Sequence, residues 1–407
     1  MSTRDSLPKL LLFATFFYLS HVVLAGWVAL SELGVFWFLY CVGICIYYKL
    51  LRPSFHILLF PLAIYGLVST ISSLAAPESK HAYGEVMLWF KMLLFPAALL
   101  MFREIPRLRE VTLRAHIAFG VFIASIGLFQ YFVLANRDLE HRITGPASHV
   151  MTFSGLLLPV ALVSLVVTLH RRKPWMFAAM LITTLALALT FTRSAWLGYL
   201  VAVFALLLLT RPRWTFYAAV GFLWLVILAP LPLFGRMNSS FDMKEESNFD
   251  RLRMWQGGVE IIRDHPLLGV GPANIKETYV LYRQHDAPRF RVPHLHNNLV
   301  QLWAERGILA LLAYFLLQAL FLRQCARAWR GPNRMYAEIG VVVCVGLFFA
   351  GLFEFNFGDT EVFFIMLDLY ALVVASTEAP LREPMYGQAR LWPPFSNERV
   401  PELVPQP

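Results

Sequence analysis

Charged residues make up only 15% of this 407-residue chain, and cysteine occurs four times. So little charge excludes an ordinary soluble enzyme, whose surface needs more of it. Cys41, Cys45, Cys325 and Cys344 all sit in or beside apolar runs. Their spacing offers neither a disulfide framework nor a zinc pattern, which leaves them apolar packing. Also missing are an internal repeat of about 20–50 residues, a soluble domain and a phosphate-cradling P-loop.

What the chain has instead is hydrophobic residues, 58% of the total, in recurring Leu, Phe, Val and Ala runs. A transmembrane helix needs roughly 20 apolar residues, and lipid forces each spanning segment to satisfy its own backbone. The sequence therefore specifies an all-α polytopic membrane protein. Reading apolar runs between charged breaks gives about twelve helices, at 10–30, 33–51, 54–76, 86–102, 111–134, 150–169, 175–191, 194–209, 214–233, 299–322, 336–353 and 361–376. The organisation expected is nine helices within 1–234, a helical loop domain at 235–298, three helices within 299–377 and a proline-bearing disordered tail at 378–407. The start, MSTRDSLPKL, lacks a small-residue cleavage site after a short apolar region and reads as a retained helix.

The formal net charge of +9 matters less than its placement, which points to no nucleic-acid partner. With the N-terminus cytoplasmic, Arg103, Arg107, Arg109 and Arg114, then Arg171, Arg172 and Lys173, then Arg323, Arg327 and Arg330 all fall on that side. The short loops opposite hold only Lys80, Arg137, Arg142 and Arg193. Cytoplasmic loops carry the basic excess, so both ends are expected in the cytoplasm and the long connection outside. Within it, DRLRMWQGGVEIIRDH places Leu252, Trp255, Val259 and Ile262 on one helical face.

Polar residues that could do chemistry gather on the outward side. Arg193, in FTRSAW, can simply snorkel to lipid headgroups or offer its planar fork to a phosphate. Arg251 and Arg253 are two positions apart on a helix, so they point in different directions. GVGPAN, after His265-Pro266, reads better as a tight turn than as a phosphate loop. The stretch PHLHNNLVQLWAERG brings together His294, His296, Asn297 and Asn298, with Gln301 and Glu305 four apart on one face of the helix that follows. These histidines, with His285, lack a carboxylate at ligand spacing, which argues against a metal. Imidazole titrates near neutrality and suits a general base for an incoming hydroxyl; Glu305 is placed to set its orientation. Lys91, within the helix at 86–102, can reach a headgroup or a donor phosphate. Arginines for an anionic leaving group and a histidine for a nucleophile suggest group transfer from a phosphorylated lipid that brings its own activation.

At these residues the sequence resembles the O-antigen ligase and polymerase superfamily of bacterial envelope membrane proteins. The likeness is carried by His294-Leu295-His296-Asn297-Asn298-Leu299-Val300-Gln301 with Glu305-Arg306-Gly307, by DHPLLGVGPANI with Arg251-Leu252 upstream, and by Arg193 in TRSAWLG. Together these motifs cover roughly residues 190–310, and the helix layout extends the likeness to the whole chain. Ser194 and Ala310 stand where glycine is common in the family.

The resemblance implies a glycosyltransferase of GT-C-like architecture in the bacterial inner membrane, inverting and independent of metal or other cofactor, with a periplasmic active site. The donor implied is O-antigen on undecaprenyl diphosphate, and the acceptor a sugar hydroxyl of lipid A–core oligosaccharide. His296 would be the catalytic base and Arg193 and Arg251 would hold the diphosphate. Arg253, His294, Asn297, Glu305 and Lys91 complete the substrate-binding candidates. A polymerase, or an oligosaccharyltransferase acting on protein Ser/Thr, differs mainly in acceptor. Ligase is favoured because there is one large outward loop and no extra C-terminal domain outside. A lipid-linked glycan transporter is the alternative of another class, but the broken helices in paired halves that it commonly shows have no match here.

Overall fold

The computed structural model describes residues 3–49, 51–76, 82–135, 141–211 and 245–378. They form α1 (Thr3–Val23), α2 (Val28–Tyr47), α3 (Leu59–Ala75), α4 (Ala82–Met92), α5 (Leu94–Glu104), α6 (Pro106–Phe132), α7 (Val150–Arg171), α8 (Pro174–Leu189) and α9 (Arg193–Thr210). After these come α10 (Glu246–Asp264), α11 (Ile275–Tyr282), α12 (Asn298–Arg306), α13 (Ile308–Ala328), α14 (Arg334–Ala350) and α15 (Thr360–Thr377). No strand occurs among the described residues. Among the described residues, seven stretches are long and apolar enough to cross a membrane: Ala29–Tyr47, Val86–Glu104, Pro106–Phe132, Val150–Arg171, Arg193–Thr210, Ile308–Ala328 and Thr360–Thr377. Leu10–Val23, Leu59–Ala75 and Pro174–Leu189 are shorter apolar helices. The helix expected at 214–233 lies outside the described residues, as do 235–244 of the loop and 379–407 of the tail.

Local chemistry sets the ends of the helices. Pro106 and Pro174 open α6 and α8, where a missing N–H costs nothing. Asp359 caps α15 by accepting from the amides of Glu361 and Val362. The single helix expected at 299–322 is broken at Gly307, which takes φ +82° and passes so close to the Leu267 carbonyl that a Cβ there would collide with it. That break frees α12 to lean away from α13. The segment expected at 86–102 likewise divides into α4 and α5 at Leu93.

Small residues let the long helices close on each other where lipid gives no hydrophobic drive for association. Gly198 of α9 abuts Gly346 and Ala350 of α14, and Ala202 approaches Gly346, so the two helices run antiparallel in tight contact. Gly155 of α7 receives Val362 of α15 in the same way. The consequence is positional: the start of α9, the end of α14 and the start of α15 meet at one end of the bundle. The opposite end carries ion pairs of the basic clusters, Arg171 with Glu110 at 2.6 Å and Arg103 with Glu378 at 2.8 Å.

α10 and α11 build a small separate core from Met254, Ile261, Val270, Ile275, Tyr279, Val292, Leu295 and Ala304. The helix expected from DRLRMWQGGVEIIRDH is present. Asp250, Met254, Gly257, Gly258 and Ile261 are its buried residues, Trp255 and Ile262 pack partly buried against the same core, and Val259 is exposed. Gly257 lies against Tyr279 and Gly258 against Leu295 and Val300. This docking brings Leu295, before α12, against the middle of α10, where Trp255 Nε1 donates to its carbonyl.

Candidate functional site

His296 stands just before α12 at φ +48°, in the left-handed region that a side-chain-bearing residue rarely adopts. Its neighbours hold it there. The Asn297 Oδ1 caps α12 by accepting from Leu299 N at 2.8 Å and Val300 N at 3.1 Å, and its Nδ2 donates to the Leu352 carbonyl at 2.9 Å. Asn298 donates from its backbone to Gly351 O at 2.7 Å and from Nδ2 to Asn356 Oδ1 at 2.7 Å, while its own Oδ1 accepts from Phe357 N. Two successive asparagines thus rivet the segment to the connection between α14 and α15.

That connection supplies Glu354, which no sequence motif singles out. His296 Nδ1 lies 2.9 Å and 3.0 Å from the two Glu354 carboxylate oxygens, with side-chain exposures of only 16% and 11%. An ionised carboxylate only accepts, so Nδ1 carries the proton and donates it. In the neutral imidazole that arrangement leaves Nε2 as the acceptor nitrogen. Burial alone would raise Glu354, but the hydrogen bond and charge of His296, with His294 and Arg251, outweigh it and hold the carboxyl below the usual range.

Cations stand on one side of this dyad. Arg251 Nη2 is 4.0 Å from Glu354 Oε2, at the face of α10 that also buries Asp250. Burial, opposed by Glu354 and reinforced by Arg193 and Arg142, lowers its guanidinium from the ordinary value, though arginine stays charged. Arg193, first residue of α9, donates from Nη2 to Ser247 Oγ at 3.0 Å and to Glu245 Oε2 at 3.2 Å. Phe191 at φ +51° makes the sharp turn that aims it there. Arg142, on the connection before α7, is the third guanidinium within Coulombic reach.

On the other side stands His294. Its ring centroid is 4.2 Å from that of His296, and burial first, then the neighbouring imidazole, lowers its pKa to about 4. It is therefore neutral. His294, His296 and Glu354 place one ligand atom each within 4.8 Å of one another, so Glu354 provides the carboxylate that spacing alone could not locate. These three groups could hold a metal ion, but an Nδ1 hydrogen-bonded to both carboxylate oxygens fits a proton-holding dyad at least as well. His285 is exposed and takes no part in the group.

The other sequence candidates fall elsewhere. Glu305 does not touch His296. Its Oε1 accepts from Ala273 N at 2.9 Å and its Oε2 from Gln301 Nε2, while Gln301 Oε1 accepts from the amide of Leu295, between the two histidines. It is a buried brace acting on the backbone. Asn297 uses its Oδ1 for the cap and donates from Nδ2 to Leu352 O. Arg253 is held by Asp286 and Gln256 and lies over the Phe249 ring, away from the dyad. Lys91 donates to Thr360 Oγ1 at 2.7 Å and sits 3.6 Å from Glu32, joining the start of α15 near Asp359. What could have signalled Glu354 is its setting: Glu354, Asn356 and Asp359 are polar residues in a short connection between two apolar helices, on the same side as the histidines.

Residues 178–315 match the family model described as O-Antigen ligase, which supports membership of that family. The matched stretch runs from α8 through the start of α13, and includes Arg193, Arg251, His294 and His296 but not Glu354. A curated protein of Haemophilus influenzae, itself described as uncharacterized, is 24% identical over 254 residues, covering 56% of this chain and 62% of that protein.

Proposed function

We propose that this chain is a glycosyltransferase of the O-antigen ligase family that moves O-antigen from undecaprenyl diphosphate onto a sugar hydroxyl of lipid A–core, with His296 as base. The observation that carries the reading is the His296–Glu354 dyad beside Arg251 and Arg193: a base with a fixed tautomer next to cations suited to a departing diphosphate.

In this reaction the acceptor hydroxyl hydrogen-bonds to His296 Nε2 and its oxygen attacks the anomeric carbon of the donor. The bond from that carbon to the diphosphate oxygen breaks as the new glycosidic bond forms, which inverts the anomeric centre. The hydroxyl proton passes to Nε2, and the imidazolium formed is stabilised by Glu354 through Nδ1–H. Arg193 and Arg251 neutralise the leaving undecaprenyl diphosphate, and the proton returns to water when the products leave. No nucleotide, metal or other cofactor enters the scheme.

The membrane placement belongs to the same proposal. The basic clusters at the end opposite His296 support a cytoplasmic location for that end, which puts the dyad and α10 in the periplasm of the inner membrane. There the lipid-borne donor arrives from the bilayer and the acceptor meets it at the water boundary.

The test is to mix the purified chain with undecaprenyl-diphosphate glycan and lipid A–core, chelator present and nucleotide absent, and to resolve the products on a gel. Glycan-modified lipopolysaccharide is the expected outcome. Longer lipid-linked chains from donor alone would make the protein a polymerase, and no transfer of either kind would refute the reading.

A further inference from the structure

Arg142 lies on the connection between α6 and α7, and that connection is built to hold it still. Gln130, in the last turn of α6, accepts with Oε1 from Thr144 N at 3.0 Å and Gly145 N at 2.8 Å, and donates from Nε2 to Gly145 O at 3.0 Å. Gly145, at φ +56°, presses on the Phe153 ring so closely that no Cβ would fit. Ile143, next to Arg142, is fully buried in the main core. A turn clamped by three hydrogen bonds and anchored by a buried isoleucine leaves Arg142 little freedom to move.

Its Nη1 is buried and has no hydrogen-bond partner among the described residues. Buried donors are almost always paired, and a charged one is the most expensive to leave alone. Its surroundings are cationic as well. Burial and then Arg193 lower the Arg142 guanidinium from its ordinary value, and Arg142 in turn acts on Arg251. Arg193 has Glu245 as a counter-charge and Arg251 has Glu354. Within this group of guanidiniums, the donor without a hydrogen-bond partner among the described residues is on Arg142. A buried charged donor of that kind suits an anionic ligand. A diphosphate ester brings two negative charges and several acceptor oxygens, more than one arginine fork satisfies.

We propose that Arg142 is a third diphosphate-binding residue, donating from Nη1 to a phosphate oxygen of the lipid-linked donor, and that Gln130 is its positioning residue. The inference rests on the donor reading of the site under Proposed function. It adds a residue from a part of the chain before the matched family segment, which begins at residue 178.

The experiment measures equilibrium binding of undecaprenyl diphosphate, with undecaprenol as the uncharged control, to the full chain in lipid nanodiscs. Arg142→Gln is expected to weaken diphosphate binding by about 10- to 100-fold, the range for a hydrogen bond to a charged group, and to leave undecaprenol binding unchanged. Arg142→Lys, which keeps the charge but not the fork, should recover part of the loss. Gln130→Ala should weaken diphosphate binding in the same direction by releasing the turn, and thermal melting of each variant separates this from unfolding. Diphosphate affinity within twofold of wild type in a folded Arg142→Gln chain, while Arg251→Gln weakens it, overturns the role of Arg142 and leaves the donor reading standing. If wild type does not prefer the diphosphate over undecaprenol, or if Arg251→Gln is also without effect, the donor reading itself is overturned and this inference falls with it.

Discussion

Glu354 follows His296 by 58 residues in the chain, yet its carboxylate faces Nδ1 of that histidine at 2.9 Å. The pairing decides which imidazole nitrogen is basic. It is produced by two asparagines that staple the start of α12 to the connection between α14 and α15, so the proposed chemistry depends on a partner far along the chain from the motif that carries His296.

Replacing Glu354 by Gln keeps the shape and alters the tautomer. The new amide can donate to Nδ1, which moves the imidazole proton to Nε2 and blocks the base. Turnover is expected to fall by about 10²–10³, approaching the loss for a missing general base. Glu354→Asp, which retains an acceptor, should be milder. Single-turnover transfer rates of the two variants check this, and equal rates for Gln and wild type would dissociate Glu354 from catalysis.

The paired imidazole makes a separate prediction about stability and pH. His294 is held to about 4 in the folded protein against an ordinary 6.5. The unfolded chain then binds more protons between those values, so His294 contributes stability that is complete above about 6.5 and is lost as pH falls towards 4. Glu354, lowered by its partners, adds a loss in the same direction below the ordinary carboxylate range. Melting temperature should decline on acidification across this window. His294→Gln should flatten the decline between 6.5 and 4, and an unchanged slope in that variant would contradict the assignment.

Asn298→Ala removes the side-chain bonds to Asn356 and to the Phe357 amide in a buried setting. Each buried group left unpaired costs about 1–3 kcal/mol, so the variant should melt several degrees lower. Because the same bonds place Glu354, the turnover of the protein that remains folded should also fall. Melting and rate measured on one preparation distinguish the two effects.

Glu305→Ala unpairs the Ala273 amide, whose residue is at φ +62°, and frees Gln301 from its partner. The expected cost is about 1–3 kcal/mol of stability, with donor affinity nearly unchanged because Glu305 does not face the arginines. A strong loss of donor binding without a drop in melting temperature would place Glu305 in the ligand site after all.

Much of the architecture was legible in advance, because apolar length is the dominant constraint in lipid: outside 214–233 each expected segment overlaps helix, although 10–30 runs across the break between α1 and α2, and 86–102 and 299–322 are each divided in two. The dyad's histidine and the two arginines also carried their own signals, a polar cluster at an apolar boundary. What escaped was set by backbone geometry and by distance along the chain. Gly307 ended a helix that hydropathy alone would continue. Polarity singles out Asn297 and Glu305 in the sequence, whereas the amides that engage them are visible only in the fold. Glu354 had no motif, and only the closed fold shows what it faces.

The most direct test is the single-turnover rate of glycan transfer by His296→Ala, in chelator and without nucleotide, from undecaprenyl-diphosphate glycan to lipid A–core. The account predicts a fall of about 10²–10⁴ with melting temperature and donor binding retained. A rate near that of wild type would show that His296 is not the base.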